Sequence, residues 1–311
     1  MTEKQRIGIF GDTGMVGATI DKYLQRHSGV EVVLRRNSSR TIGSLAGCDL
    51  CFLATKDSES MKFAAEALDA GVRVVDMSGA FRLSARDFEK WYGMAHTAPE
   101  LIGRAVYGLP AVFADLIRTA ELVANPGCYP TSVILALRPL SGLVTGEVSV
   151  VATSGNSGAR RETENESNEI AYSYGKKHKH VPEMHKYTGF DIDFTPIVLR
   201  SVFKGINANI KVRLSGELDC LPDEEAASAL EDRLRSAYSA DDLVFVERDT
   251  EEKTWGTKDV NDTNKMIIKV RVDSGSAYIC SMLDNLVKGA AGQAIESMNI
   301  MLRLPRLQGL V

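Results

Sequence analysis

Gly11-Asp12-Thr13-Gly14-Met15-Val16-Gly17 follows a buried-strand pattern at residues 6–10 (RIGIF) and leads into a helical pattern over residues 15–27. No other feature of the chain limits its fold as strongly. Glycines permit the tight strand-to-helix turn, and they let a pyrophosphate approach the backbone N–H groups where a helix begins. The spacing is GxxGxxG rather than the GxGxxG dinucleotide fingerprint, so the motif gains its meaning from its place between a strand and a helix.

Further strand patterns follow at residues 30–34, 49–54, 72–76 and 120–124, with a helix over 58–70 that Gly71 closes. Strands that alternate with helices predict a parallel, doubly wound sheet. The connection at 35–45 is short and polar, and no helix is predicted there. At the end of the second strand stand Arg35, Arg36, Asn37, Ser38, Ser39 and Arg40. An acid there would bind a ribose 2′-hydroxyl and favour NAD; arginines and serines favour a 2′-phosphate and NADP.

The pattern changes from about residue 148. Strands are predicted at 148–153, 193–199, 206–214, 243–247, 265–272 and 277–282, with one helix at 223–238 and a polar loop over 155–180. Many strands with few helices predict an α+β second domain with a mixed sheet. The tail, 284–302, reads as one amphipathic helix.

The 311 residues carry a net charge of −4 and give no basic surplus of the kind a general nucleic-acid binder shows. No apolar run reaches the roughly 18 residues of a membrane span. The N-terminus lacks the apolar core of a secretory signal. Five scattered cysteines at 48, 51, 128, 220 and 280 fit a reduced, cytoplasmic chain. Cys48 and Cys51 have CxxC spacing without a second pair, and they run into a buried strand, so they read as structural.

Cys128 is different. Asn125-Pro126-Gly127-Cys128-Tyr129-Pro130-Thr131 sits between an apolar strand and an apolar helical run at 132–140. Two prolines and a glycine define a specific turn, and a helix N-terminus favours the thiolate, the nucleophilic form. A thiolate works with an imidazole that is distant in sequence. Three of the five histidines, His178, His180 and His185, lie within ten residues. That segment can be read as a metal site, a solvated basic loop, or an acid/base imidazole facing Cys128; the third is preferred. If it is extended, His178 and His180 point to the same side, and periodicity does not choose between them. No metal is expected.

With these segments in place, the chain resembles the N-acetyl-γ-glutamyl-phosphate reductases, within the wider aspartate-semialdehyde dehydrogenase-like group. The resemblance spans nearly the whole chain. It rests on the glycine turn, Val75-Asp76-Met77-Ser78-Gly79-Ala80-Phe81-Arg82-Leu83, Tyr107-Gly108-Leu109-Pro110, the segment around Cys128, Ser154-Gly155-Asn156-Ser157-Gly158-Ala159, His178-Lys179-His180-Val181-Pro182-Glu183, Phe194-Thr195-Pro196 and Asp284-Asn285-Leu286-Val287-Lys288-Gly289-Ala290.

The resemblance implies a glyceraldehyde-3-phosphate dehydrogenase-like architecture. A Rossmann-type NADP-binding domain would be formed by 1–127 with 284–311, and a catalytic and oligomerisation domain by 128–283. It implies Cys128 as nucleophile and His178 as acid/base, with His180 as second choice. It implies Gly11, Thr13, Gly14, Met15, Val16, Gly17, Arg35, Ser38, Ser78, Gly79 and Asn285 around NADP(H), with Asn285 near the nicotinamide. Arg82, Tyr107, Ser157, His180 and Glu183 would line the substrate pocket. The implied reaction is reduction of an acyl phosphate to an aldehyde through a Cys128 thioester, in arginine biosynthesis, by a homodimer or homotetramer.

Three positions depart from the family pattern: Ala111 stands where an acid is expected, Arg160 where a glycine is, and Lys204 where an arginine is usual before Gly205. They touch the pocket rather than the Cys/His chemistry. A related reductase would take a carrier-bound aminoadipyl phosphate, and the cations at 160, 161, 176, 177 and 179 would suit an acidic carrier protein; a solvated face explains them better. The remaining alternative is a non-catalytic NADP-binding protein, against which the intact Cys128 and HxHxPE segment speak.

Overall fold

A computed structural model describes residues 3–159, 167–250 and 254–310, so Arg160 and Arg161 lie outside the described residues. The chain divides into two compact units, Met1–Gly127 with Ala290–Val311 and Cys128–Gly289. Residues 284–289, expected with the tail, fall in the second unit. They are tied there by an ion pair from Lys204 to Asp284 and by a hydrogen bond from the Gly205 N–H to Asn285.

In the first unit the strands are β1 (Gln5–Phe10), β2 (Val30–Arg36), β3 (Thr41–Ile42), β4 (Leu50–Leu53), β5 (Arg73–Asp76), β6 (Ala105–Tyr107) and β7 (Leu122–Ala124). They form one sheet in the order β3-β2-β1-β4-β5-β7-β6, parallel throughout except for the β2–β3 pair. The expected doubly wound sheet is present. The chain leaves β1 towards β2 on one side, and β4 flanks β1 on the other, so the end of β1 is the point where strand order reverses and ligands bind in such sheets.

Helices cover both faces. Ile20 of α1 (Met15–Leu24), Ile117 of α4 (Pro110–Thr119) and Ile295 and Met298 of α9 (Gly292–Met301) join Ile7, Ile9, Val75 and Val123 in one core. Met61 and Ala64 of α2 (Asp57–Asp69) and Phe88 of α3 (Ala85–Tyr92) join Phe10, Leu53 and Val74 in the other. Each of the larger side chains among them, removed from water, contributes about 1.5–3 kcal/mol. Strands buried on both faces need apolar residues at every position, which is why Ile7–Phe10 and Leu50–Leu53 carry no alternation.

Two α-helices and a strand between residues 77 and 119 were not anticipated. α3 is capped by Ser84, whose side chain accepts a hydrogen bond from the Asp87 N–H at 3.1 Å, and it is a short helix with few apolar residues to mark it. β6 has three residues and α4 begins with Pro110.

The second unit is a mixed sheet of β8 (Val144–Gly155), β9 (Glu169–Ala171), β10 (Ile192–Leu199), β11 (Ile206–Leu214), β12 (Val244–Arg248), β13 (Met266–Asp273) and β14 (Ser276–Leu283). Its order is β12-β13-β14-β11-β8-β10-β9, with β8–β10 and β12–β13 parallel and the other pairs antiparallel. Along β11 every second residue is buried, as one covered face requires. The covering helices are α5 (Cys128–Leu137), α7 (Val181–Thr188) and α8 (Asp223–Ala237); α6 (Asn156–Ala159) is a single turn after β8.

Several element predictions are corrected. α5 starts at Cys128 rather than at 132, because Pro130 falls in the first turn, where its missing N–H costs nothing. The polar stretch at 155–180 contains α6 and β9. The segment carrying His178 and His180 is a turn, in keeping with a polar loop, so the two rings are not ordered by strand alternation: His180 is helical in its backbone at the N-cap position of α7, with Pro182 in the first turn. The tail is not one amphipathic helix. A π-helical turn, Val287–Ala291, precedes α9, and every residue of α9 is buried. Polar residues such as Asn299 and Glu296 are accommodated there by His27 and Arg306, which is why an amphipathic pattern does not mean a surface helix in this case.

Among the described residues no helix is long and apolar enough to cross a membrane.

Candidate active site

Gly11 directly follows β1 and lies in the left-handed region, at φ +83°, and a Cβ there would overlap the Ala54 carbonyl. A Cβ on Gly17 would overlap the carbonyl of Gly11. Both glycines are needed for the backbone to close this tightly, with Thr13, Met15 and Val16 carried between them. Gly14 is the N-cap of α1 and supplies no side-chain cap to the N–H groups of the first turn. An anion is the natural partner of such a helix start, and the turn fits the pyrophosphate of a dinucleotide.

Beside it lies a charged cluster. Asp12, inside the glycine turn, accepts hydrogen bonds from Asn37 Nδ2 at 2.7 Å and Arg40 Nη2 at 3.0 Å. Burial pushes its carboxyl up, but Asn37 and Arg40 outweigh that and hold it below the usual carboxylate range. Arg35 forms an ion pair with Asp21 at 2.6 Å. Arg36 stacks on Phe63, 4.6 Å from the ring centroid, and pairs with Glu66 at 3.1 Å. Ser38 is exposed in the turn between β2 and β3. Three guanidinium groups thus gather at this turn, each held by an acid.

Ser78 and Gly79 follow β5. The Asp76 carboxylate accepts from the Ser78 hydroxyl at 2.7 Å, and Asp57 accepts from the Gly79 N–H at 2.6 Å. Burial pushes the Asp76 carboxyl up to about 6, against hydrogen bonds from Ser78 and Ser60. Arg82 is buried and donates to the Met77 carbonyl at 2.9 Å. Tyr107 ends β6, its ring edge-on to Phe113.

In the second unit, Cys128 opens α5 and is half-buried. Gly289 lies against it: a Cβ on Gly289 would come 2.8 Å from the Cys128 Cβ. Tyr129, the next residue, is buried and stands edge-on to the rings of His178 at 5.8 Å, His180 at 5.9 Å and Phe194 at 4.9 Å. The two imidazoles are 4.7 Å apart, and Tyr172 closes on His178 at 5.6 Å. His178 Nδ1 accepts the His180 backbone N–H at 3.1 Å. The neutral His178 ring therefore carries its proton on Nε2. Glu183 is fully buried on α7.

Asn285 is fixed at both ends of its amide. Its Oδ1 accepts from the Gly205 N–H at 2.7 Å, and its Nδ2 donates to Ser157 Oγ at 3.1 Å.

The candidate residues thus fall into two groups. Gly11 to Gly17, Arg35, Ser38, Ser78, Gly79, Arg82 and Tyr107 belong to the first unit; Cys128, Ser157, His178, His180, Glu183 and Asn285 belong to the second. Lys204 is not a bare pocket cation, since it is bound to Asp284 and Asp262. Ala111 lies in the first turn of α4. Sequence reasoning missed Tyr129 as a packing partner of both histidines, and missed Asp12, Asp76 and Gly289; the only mark of Gly289 was a glycine inside an apolar helical run. Among the described residues no group of three or more His, Cys, Asp or Glu is placed to hold a metal ion.

Known proteins supply the comparison. Residues 37–120 match the semialdehyde dehydrogenase NAD binding domain, and residues 128–285 match the semialdehyde dehydrogenase dimerisation domain. Curated relatives include the N-acetyl-gamma-glutamyl-phosphate reductases of Rhodopirellula baltica, 36% identical over 98% of this chain and 98% of that one, and of Laribacter hongkongensis, 34% identical over 98% and 97%. Among solved structures, the aspartate semialdehyde dehydrogenase of Candida albicans, crystallised with NADP, superposes with a TM-score of 0.74 at 15% identity, over 96% of this chain and 99% of that one. Aspartate semialdehyde dehydrogenase II of Vibrio cholerae does so at 0.73 and 19%, over 97% and 99%. At these identities the structures show a shared fold, whereas the curated relatives show a shared family. The chain belongs to the N-acetyl-gamma-glutamyl-phosphate reductase family, assembled from a semialdehyde dehydrogenase NAD-binding domain and a dimerisation domain.

Proposed function

We propose that the protein reduces N-acetyl-γ-glutamyl phosphate to N-acetyl-glutamate semialdehyde and phosphate with NADPH, through a thioester on Cys128, in arginine biosynthesis. The observation that carries this reading is the placement of Cys128 at the N-terminus of α5, beside a tyrosine packed on both histidines, in a chain of this family.

The Cys128 thiolate, favoured by the positive end of α5, attacks the acyl carbon; the carbon–oxygen bond to phosphate breaks and phosphate leaves. NADPH, when bound, supplies a hydride to the thioester carbon. His178 gives its Nε2 proton to the oxygen of the resulting thiohemiacetal and takes it back as the carbon–sulfur bond breaks, releasing the aldehyde and restoring the thiolate. Tyr129, Tyr172 and Phe194 hold the imidazole by its edges and faces.

The first unit is the NADP-binding domain and the second the catalytic and oligomerisation domain. The turn from Gly11 to Gly17 holds the pyrophosphate, Arg35 and Ser38 the 2′-phosphate, and Ser78 and Gly79 adjoin the cofactor. Asn285 lies on the nicotinamide side. Arg82, Tyr107, Ser157, His180 and Glu183 bind substrate. The protein works in the cytoplasm as a homodimer or homotetramer.

The test runs the reaction in reverse. N-acetyl-glutamate semialdehyde, NADP+ and phosphate are mixed with the protein, and NADPH is followed by its absorbance. Phosphate-dependent NADPH formation is expected. A signal only with another semialdehyde would overturn the substrate, and silence with every semialdehyde would overturn the reaction.

A further inference from the structure

We propose that Lys204 is a positioning residue for this reaction: clamped to the buried Asp284 carboxylate, it holds the 202–205 loop in the register that orients Asn285 and Ser157. The kinetic consequences rest on the function proposed above; the geometric ones do not.

Asp284 is fully buried, and its carboxylate is saturated. Oδ1 accepts the backbone N–H groups of Leu286 at 2.8 Å and Val287 at 3.2 Å; Oδ2 accepts the Asp262 N–H at 2.8 Å and meets the Lys204 ammonium at 3.1 Å. Lys204 also reaches the Asp262 carboxylate. Burial works against the ammonium, but the carboxylates of Asp262 and Asp284 outweigh it and hold the Lys204 pKa above its ordinary value. An exposed ion pair would contribute little. Here one partner is out of water, so removing the cation leaves a buried charge short of a partner.

The loop that Lys204 pins does two things. Its carbonyls anchor the start of α6: Val202 accepts from the Asn156 N–H at 2.9 Å, Phe203 from the Ser157 N–H at 3.0 Å and Gly205 from the Gly155 N–H at 3.0 Å. The Gly205 N–H meanwhile donates to Asn285 Oδ1, and Asn285 Nδ2 donates to Ser157 Oγ. Loop, α6 and Asn285 form a closed ring of hydrogen bonds, so a shift of the loop moves both side chains together. Asp262 ties into the same clamp in a left-handed turn, at φ +64°, with its N–H on Asp284 and its carboxylate on Lys204. Asp284 directly precedes Asn285, so the clamp grips the chain one residue from the amide it serves.

The test compares Lys204→Met, which keeps length and removes charge, with Lys204→Arg. In the cofactor-free protein, hydrogen exchange should accelerate by about tenfold or more at the Ser157 and Gly205 amides in Lys204→Met, with the centre of β11 unchanged. Unchanged protection there overturns the proposal whether or not the chain is active. In the active enzyme, Lys204→Met should lower kcat by about tenfold or more with a smaller effect on KM, and Lys204→Arg should restore it. Added to Asn285→Ala, Lys204→Met should cost less than about threefold further. Fully multiplicative losses, or a Lys204→Met enzyme with a lower melting temperature and an undisturbed kcat, would reduce Lys204 to a structural residue. Failure of the wild type in the reverse assay would instead remove the function and leave the exchange result standing.

Discussion

Gly289 lies so close to Cys128 that a Cβ on it would stand 2.8 Å from the cysteine Cβ, a separation real Cβ atoms do not show. The glycine therefore sets where the first residue of α5 stands. Gly289→Ala should displace Cys128, and because a misplacement near 1 Å costs roughly 10²-fold, kcat should fall by about that factor while NADPH still binds. Steady-state kinetics together with cofactor titration check this. An alanine enzyme with wild-type kcat would mean that the site tolerates the shift.

Arg35 is paired with Asp21, and this pairing orients the guanidinium at the end of β2. If it meets a 2′-phosphate, Arg35→Ala loses a charge-assisted bond worth about 1.5–3 kcal/mol, an increase of roughly tenfold or more in KM for NADPH with little change for NADH. Equal losses for both cofactors would remove Arg35 from 2′-phosphate recognition.

His178 carries its proton on Nε2, because Nδ1 is taken by the His180 N–H. His178→Ala should therefore lower kcat by about 10²–10⁴-fold, and His178→Gln, which still donates a hydrogen bond but moves no proton, should retain more activity than alanine. His180→Ala should cost less than His178→Ala. The reverse order would exchange the roles of the two histidines.

Asp76 gives a pH dependence to stability. Burial pushes its carboxyl up to about 6, whereas an unfolded aspartate titrates near 3.9. The fold thus favours the neutral form. The stability this provides is fully present below about pH 4 and is lost as pH rises through about 6, by up to ~3 kcal/mol. Asp76→Asn should flatten that part of the profile, measured as the difference between wild type and variant in denaturant unfolding from pH 4 to 7. Parallel curves would contradict it.

Legibility followed the range of the interactions. Residues 206–214 were read as a strand to the residue, because strict alternation reports one covered face. The glycine turn was legible because steric demands at Gly11 and Gly17 act within a few residues. The helical start at Cys128 was placed four residues late, since Pro130 looks like a breaker until it is seen in a first turn. The order of His178 and His180 was not legible, because the segment is a turn leading into the short helix α7 and carries no periodicity. Tyr129 was missed, because its contacts with His178 and His180 arise from tertiary structure. Lys204 looked like an altered pocket cation because Asp284, its partner, lies eighty positions later in the chain. No local pattern records such a pair.

The thioester itself can be observed. The protein is mixed with N-acetyl-γ-glutamyl phosphate in the absence of NADPH, quenched in acid, and its peptides are weighed. An N-acetylglutamyl group on the peptide carrying Cys128, lost on treatment with hydroxylamine, is the predicted result. A chain that turns over normally with NADPH yet never shows that group on Cys128, at any quench time, would contradict covalent catalysis by this cysteine.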